Sequence, residues 1–139
     1  MPAAKKSKTK DYTYAVGRRK TATARVRLYQ KKGDFLVNQL AAGQYFTSKD
    51  AVVKYMFPLK LTGTEAKFSF SAKVEGSGKS AQLDAVVHGL ARALAKIDAD
   101  VYKPLLKKQG LLTRDSRMKE SRKVGTGGKA RRRKQSPKR

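Results

Sequence analysis

A chain of 139 residues with 34 Lys or Arg against 10 Asp or Glu, formal net charge +24, reads as one small domain with extensions. The absence of cysteine excludes disulfides and thiolate metal sites and suits a reducing cytosol, and no apolar run approaches the roughly 20 residues of a membrane span. Such a charge calls for a polyanionic partner, and nucleic acid fits better than a membrane, because the last twenty-six residues contain no Trp, Phe, Tyr or Leu to bury in a lipid interface.

Residues 1–10 carry Lys5, Lys6, Lys8 and Lys10 with no apolar region after them, so they read as a short disordered basic arm and not as a secretion signal. A globular body is expected over 11–113 and an extended basic tail over 114–139. The body is itself basic, so the charge is not confined to the two ends.

Tyr12, Tyr14 and Val16 alternate with Thr13, Ala15 and Gly17, which predicts a first strand, and Gly17 to Lys20 follows as a basic turn. Ala22, Ala24, Val26 and Leu28 then alternate with Thr21, Thr23, Arg25, Arg27 and Tyr29, the pattern of a half-buried strand. The two strands form a hairpin on which Arg18, Arg19, Lys20, Arg25 and Arg27 are expected to share one basic surface facing RNA backbone. Lys31 to Asp34 reads as a turn, and Phe35 and Val37 as a third short strand ended by Asn38. Ser48 is placed to cap a helix over residues 49–57, with Asp50 in its first turn and Pro58 stopping it. The aromatic and Met content of that helix reads as core.

Residues 67–75 show the cleanest alternation, with Phe68, Phe70, Ala72 and Val74 on one side. Gly76-Ser77-Gly78 breaks that strand, and Leu83, Val86, Val87, Leu90, Leu94 and Ile97 mark the buried stripe of a long helix over 80–97. Asp98 to Lys103 continues irregularly or as a short helix. Pro104 opens a further helical turn, Gly110 closes it, and Leu111 and Leu112 anchor the start of the tail.

The tail, Arg114 to Arg139, has twelve Lys or Arg, two acids and three apolar residues. Ordering a residue costs roughly 1–2 kcal/mol of backbone entropy, which three small apolar contacts do not offset over this length, so the segment should not fold alone. Extended, it spans on the order of 85 Å at about 3.3 Å per residue. Its arginines, seven against five lysines, favour planar two-point phosphate contacts. Arg114, Arg117, Lys119, Arg122, Lys123, Lys129, Arg131, Arg132, Arg133 and Lys134 are therefore expected to bind RNA.

Catalytic and cofactor readings find little support. Gly76-Ser77-Gly78-Lys79-Ser80 invites a nucleotide-binding interpretation, but a phosphate loop needs glycine five residues before Gly78, where Lys73 stands inside a strand. His88, the only histidine, has no Cys and one carboxylate, Asp84, at helical spacing, so it reads as structural rather than as a metal ligand. A histone-like architectural DNA protein would explain the charge but not the ordered segments that follow.

Gly17-Arg18-Arg19-Lys20-Thr21 with Ala24-Arg25-Val26, Gln82 with Ala85 and His88-Gly89-Leu90 through Arg92-Ala93-Leu94, Leu112-Thr113-Arg114-Asp115, Glu120-Ser121-Arg122-Lys123, Lys129-Ala130-Arg131-Arg132 and a terminal Lys138-Arg139 occur in this order. Together the set resembles the bacterial form of the ninth small-subunit ribosomal protein family, over residues 12–139. The resemblance implies an α+β fold, with a four-stranded sheet packed by helices and a left-handed β-α-β crossover. It implies a cytoplasmic protein of the ribosome, not an enzyme, with no cofactor. Its implied partners are the 3′ major domain of the small-subunit ribosomal RNA, neighbouring proteins of the subunit head, and the anticodon stem-loop of peptidyl-site tRNA. By position, Lys138 and Arg139 match the residues that touch that tRNA. This chain departs from the family pattern at Pro137, where Ser is usual, at Ser136, at Ala81, and at Thr126-Gly127-Gly128.

Overall fold

The computed structural model describes residues 11–125. The elements run β1 (Tyr12–Arg19), β2 (Ala22–Tyr29), β3 (Leu36–Val37), β4 (Leu40–Ala41), α1 (Ala42–Tyr45), α2 (Lys49–Leu61), β5 (Ser69–Glu75), α3 (Lys79–Ile97) and α4 (Ala99–Lys108). The fold is α+β as expected, but the sheet has five strands rather than four, in the order β1-β2-β5-β3-β4. Only β3 and β5 pair in parallel; the other neighbours are antiparallel. β3, α2 and β5 thus form a β-α-β unit.

The hairpin is tighter than the sequence suggested. Arg18 and Arg19 belong to β1, and the turn is only Lys20 and Thr21, with Lys20 in the left-handed region at φ 51°. Gly17 therefore lies inside a strand, for a packing reason. A Cβ there would collide with the Ala85 carbonyl and the Gly89 amide of α3. A Cβ on Gly89 would come within 2.6 Å of Val26 Cγ2. The two glycines let α3 cross β1 at backbone contact. Ala81, Ala85 and Ala93 extend the small residues along α3 at every fourth position, and all three are buried.

The third strand expected at Phe35 and Val37 is β3, while β4 is the strand the sequence did not suggest, since two residues are too few to show alternation. Asn38 and Gln39 join them with φ values of 49° and 67°, the paired left-handed conformation of a two-residue hairpin turn. The Asn38 amide then continues the ladder on β5: Nδ2 donates to the Val74 carbonyl at 3.2 Å and Oδ1 accepts from the Val74 N–H at 2.9 Å.

Pro58 does not stop α2, which runs to Leu61. A proline near the end of a helix removes one backbone bond, and burial of its ring among core residues accompanies the extra turn. Gly63, at φ 68°, closes the helix, with Gly63 N–H bonding Lys60 O and Thr64 N–H bonding Leu59 O. Ser48 precedes α2 but makes no side-chain cap bond. Of this helix's apolar residues, Ala51, Tyr55 and Leu59 are core, while Val52, Val53 and Phe57 are exposed. The run covers more of the wheel than one face can bury.

Asp98 to Gln109 contains one helix rather than two pieces. Asp98 caps it by accepting from Val101 N–H at 3.3 Å, and Pro104 sits within it. Gly110 closes it at φ 72°, and Leu111 and Leu112 pack partly buried against the core. That core fills the space between the sheet and α2, α3 and α4, with Leu28, Leu59, Phe70, Leu90, Leu94 and Leu106 fully enclosed. Each such side chain contributes about 1.5–3 kcal/mol. The inner sheet face is Ala15, Gly17, Ala22, Ala24, Val26, Leu28, Phe70, Ala72 and Val74, all buried. The residues between them on β1, β2 and β5 point away from the helices.

Candidate nucleic-acid interface

The outward sheet face begins with period-two alternation. On β2 it sends Thr23, Arg25, Arg27 and Tyr29 outward, and the register sets Arg25 between Val16 and Lys73, and Arg27 between Tyr14 and Ser71. Arg18, Arg25, Arg27 and Lys73 are exposed. Arg25 and Lys73 are like charges directly opposite each other, an arrangement that destabilises a sheet unless something neutralises it. Among the described residues, no acid lies within ion-pair distance of Arg25, Arg27 or Lys73. The Arg27 guanidinium lies 5.1 Å from the Tyr12 ring centroid, and Tyr12 packs edge-on against Tyr29 at 5.8 Å. Arg25, Arg27 and Lys73 border an open depression of about 760 Å³ whose rim also includes Tyr14, Ser71, Asn38, Gln39 and Glu75. Cations on a concave, uncovered surface can take phosphate oxygens.

Arg19 does not belong to this surface. It has the parity of Ala15 and Gly17, so its side chain turns toward α3 and forms ion pairs with Asp84, at 3.7 Å, and with Asp115. The expected single surface of five basic residues therefore splits. Arg18, Arg25 and Arg27 face outward, Lys20 occupies the hairpin tip, and Arg19 lies on the helix side. Strand parity carried this signal, but assigning Arg18 and Arg19 to a turn concealed it. Lys73 and Tyr14 were not singled out from the sequence, although Lys73 sits on the polar side of the cleanest strand.

Asp115 gathers the root of the tail. Arg117 grips it with Nε at 3.0 Å from both carboxylate oxygens and a guanidinium nitrogen at 2.6 Å, and its own N–H donates to Oδ1 at 3.0 Å. Hydrogen bonds from Arg117, then from Arg19, hold the Asp115 carboxyl well below the usual carboxylate range. Arg114 donates to the Lys20 carbonyl at 3.2 Å, fastening the same segment to the hairpin tip. Lys119, Arg122 and Lys123 follow, all exposed. Lys129, Arg131, Arg132, Arg133, Lys134, Lys138 and Arg139, and the basic arm of residues 1–10, lie outside the described residues.

His88 is structural, as its surroundings in the sequence suggested. Nδ1 accepts from the Arg18 N–H at 3.3 Å, and Nε2 faces the Leu112 carbonyl at 3.3 Å. A neutral ring with its proton on Nε2 satisfies both. Burial pushes its pKa down, the Leu112 carbonyl opposes that, and the charges of Arg92 and Arg114 add to the lowering. Between β5 and α3, Gly76 and Ser77 turn through left-handed conformations at φ 81° and 52°, and the Lys79 ammonium rests 5.2 Å from the Tyr45 ring centroid.

The sequence model of a family described as Ribosomal protein S9/S16 matches residues 17–139. A relative, the Small ribosomal subunit protein uS9 of Maridesulfovibrio salexigens, is 45% identical over 120 residues, covering 86% of this chain and 92% of the relative.

Proposed function

The chain belongs to the ribosomal protein S9/S16 family, and from that premise we propose how it serves the small ribosomal subunit. It is a structural constituent of that subunit in the cytoplasm, not an enzyme. Its body, residues 11–113, docks on the 3′ major domain of the ribosomal RNA in the subunit head, beside neighbouring ribosomal proteins. Arg18, Lys20, Arg25 and Arg27 meet phosphates there, and Arg19 positions the root of the tail through Asp115. Residues 114–139 form the arm. Beyond the root, where Arg114 and Arg117 are fastened, Lys119, Arg122, Lys123, Lys129, Arg131, Arg132, Arg133 and Lys134 thread through RNA and neutralise crowded phosphates. Lys138 and Arg139 then reach the peptidyl site and touch the anticodon stem-loop of the tRNA. The crossover from β3 through α2 to β5 takes the uncommon left-handed sense.

The observation that carries this reading is the uncovered sheet face, where Arg25, Arg27 and Lys73 stand exposed without an acidic partner among the described residues. The experiment that tests its far end removes Lys138 and Arg139. In reconstituted subunits, peptidyl-site tRNA should dissociate faster while assembly proceeds normally. Unchanged tRNA dissociation would refute the assigned role of the tip.

A further inference from the structure

We propose that the outward sheet face seats one unpaired nucleotide of the ribosomal RNA, its base stacked on Tyr14 and its flanking phosphates held by Arg25 and Lys73. This rests on the RNA-docking role argued above and adds to it a kind of nucleotide and a stacking residue.

Three features lead there. Tyr14 is 41% exposed and stands on the open face directly across from Arg27. Its strand position is secured along the free edge of β1, because Lys96 donates to its carbonyl at 2.7 Å. An exposed aromatic ring beside cations adds nothing to the recognition of a duplex backbone, which needs charge alone. It suits a base splayed out of its stack, whose π-face any aromatic platform accepts.

The spacing agrees. Arg25 lies two residues along β2 from Arg27, so it is the diagonal neighbour of Tyr14, at about 7–8 Å in a regular sheet. That is comparable with the separation of base and phosphate within a nucleotide. Lys73 extends the cationic row one strand further, opposite Arg25. The depression they share, about 760 Å³, is large enough for a nucleotide. Glu75 at its rim faces Thr23 and gives one end of the depression an acidic limit.

The test uses the full chain and a transcript of the 3′ major domain of small-subunit ribosomal RNA, with affinity measured across a salt series. Tyr14→Val keeps strand propensity while removing the ring, and thermal melting verifies that it folds. We expect Tyr14→Val to weaken binding about tenfold or more at every salt concentration, with the salt slope unchanged, because stacking releases no ions. Tyr14→Phe should restore the affinity. Arg25→Gln combined with Lys73→Gln should instead make the slope shallower by about 1.4. If Tyr14→Val binds as wild type while the charge variant lowers the slope, stacking is wrong and the phosphate role of this face survives. If neither variant changes binding, the face does not dock RNA at all, and both readings fail.

Discussion

At the residue scale, the close crossing of β1 and α3 makes a sharp demand. Gly17→Ala would drive a methyl group into the backbone of Ala85 and Gly89, neither of which is a flexible side chain. The helix must lift from the sheet, so a loss of about 3 kcal/mol is expected in denaturant unfolding. His88 makes a second demand. Its ring serves as acceptor to Arg18 and donor to Leu112, a combination that only the neutral form provides. Because its folded pKa lies below the ordinary 6.5, the unfolded chain binds the proton more readily. Stability should therefore be full above about pH 7.5 and decline as pH falls through the window below about 6.5. Melting temperatures followed from about pH 8 to pH 5 should show this decline. His88→Gln should flatten it, and an equal slope in both proteins would remove His88 as the cause.

At the element scale, β1 is an edge strand, and an open edge invites pairing with other chains. Helix α3 covers it with polar side chains four residues apart. Lys96 donates to Tyr14 O at 2.7 Å, Arg92 to Val16 O at 2.5 Å, and His88 receives Arg18 N–H at 3.3 Å. Arg114 continues the row at the Lys20 carbonyl. Arg92 and Lys96 thus hold backbone carbonyls as well as adding to the net charge. Replacing both by Ala should lower stability by about 1–2 kcal/mol, at roughly 1 kcal/mol for each bond. It should also speed amide exchange in β1 relative to β2. Uniform exchange across the hairpin would show that the caps are idle. Arg92 and Lys96 lie off the apolar stripe of α3 in the sequence, but their target was not legible there, since a helical wheel does not say what lies opposite each face.

At the scale of the whole molecule, charge and chain path combine. The basic surplus is spread over body and tail, and the node of Arg19, Asp115 and Arg117 sets where the tail leaves the body. If about six to eight tail residues meet phosphates, log affinity should fall with log salt at a slope of roughly −5 to −7 on duplex-like RNA. A slope near zero for the isolated protein on its RNA would reject electrostatic docking. Asp115 matters here because it is one of two acids in the tail, and its carboxylate fastens the root through Arg117 and Arg19.

The family resemblance implied the class of fold, while patterning and charge by themselves determined the hairpin of β1 and β2, the alternation of β5, the buried stripe of α3 and the polyanionic partner. Each of the latter follows from periodicity or net charge, which are sums over many residues and survive small local errors. The ordered motifs also carried the family. Tertiary structure alone decided the fifth strand, the continuation of α2 past Pro58, the turning of Arg19 away from Arg18, and the gathering of Tyr14, Arg25 and Lys73 on one face. These depend on which distant segments meet. A two-residue strand exists only because a partner edge lies beside it, and a side chain's neighbours across a sheet are set by register, which no local pattern encodes.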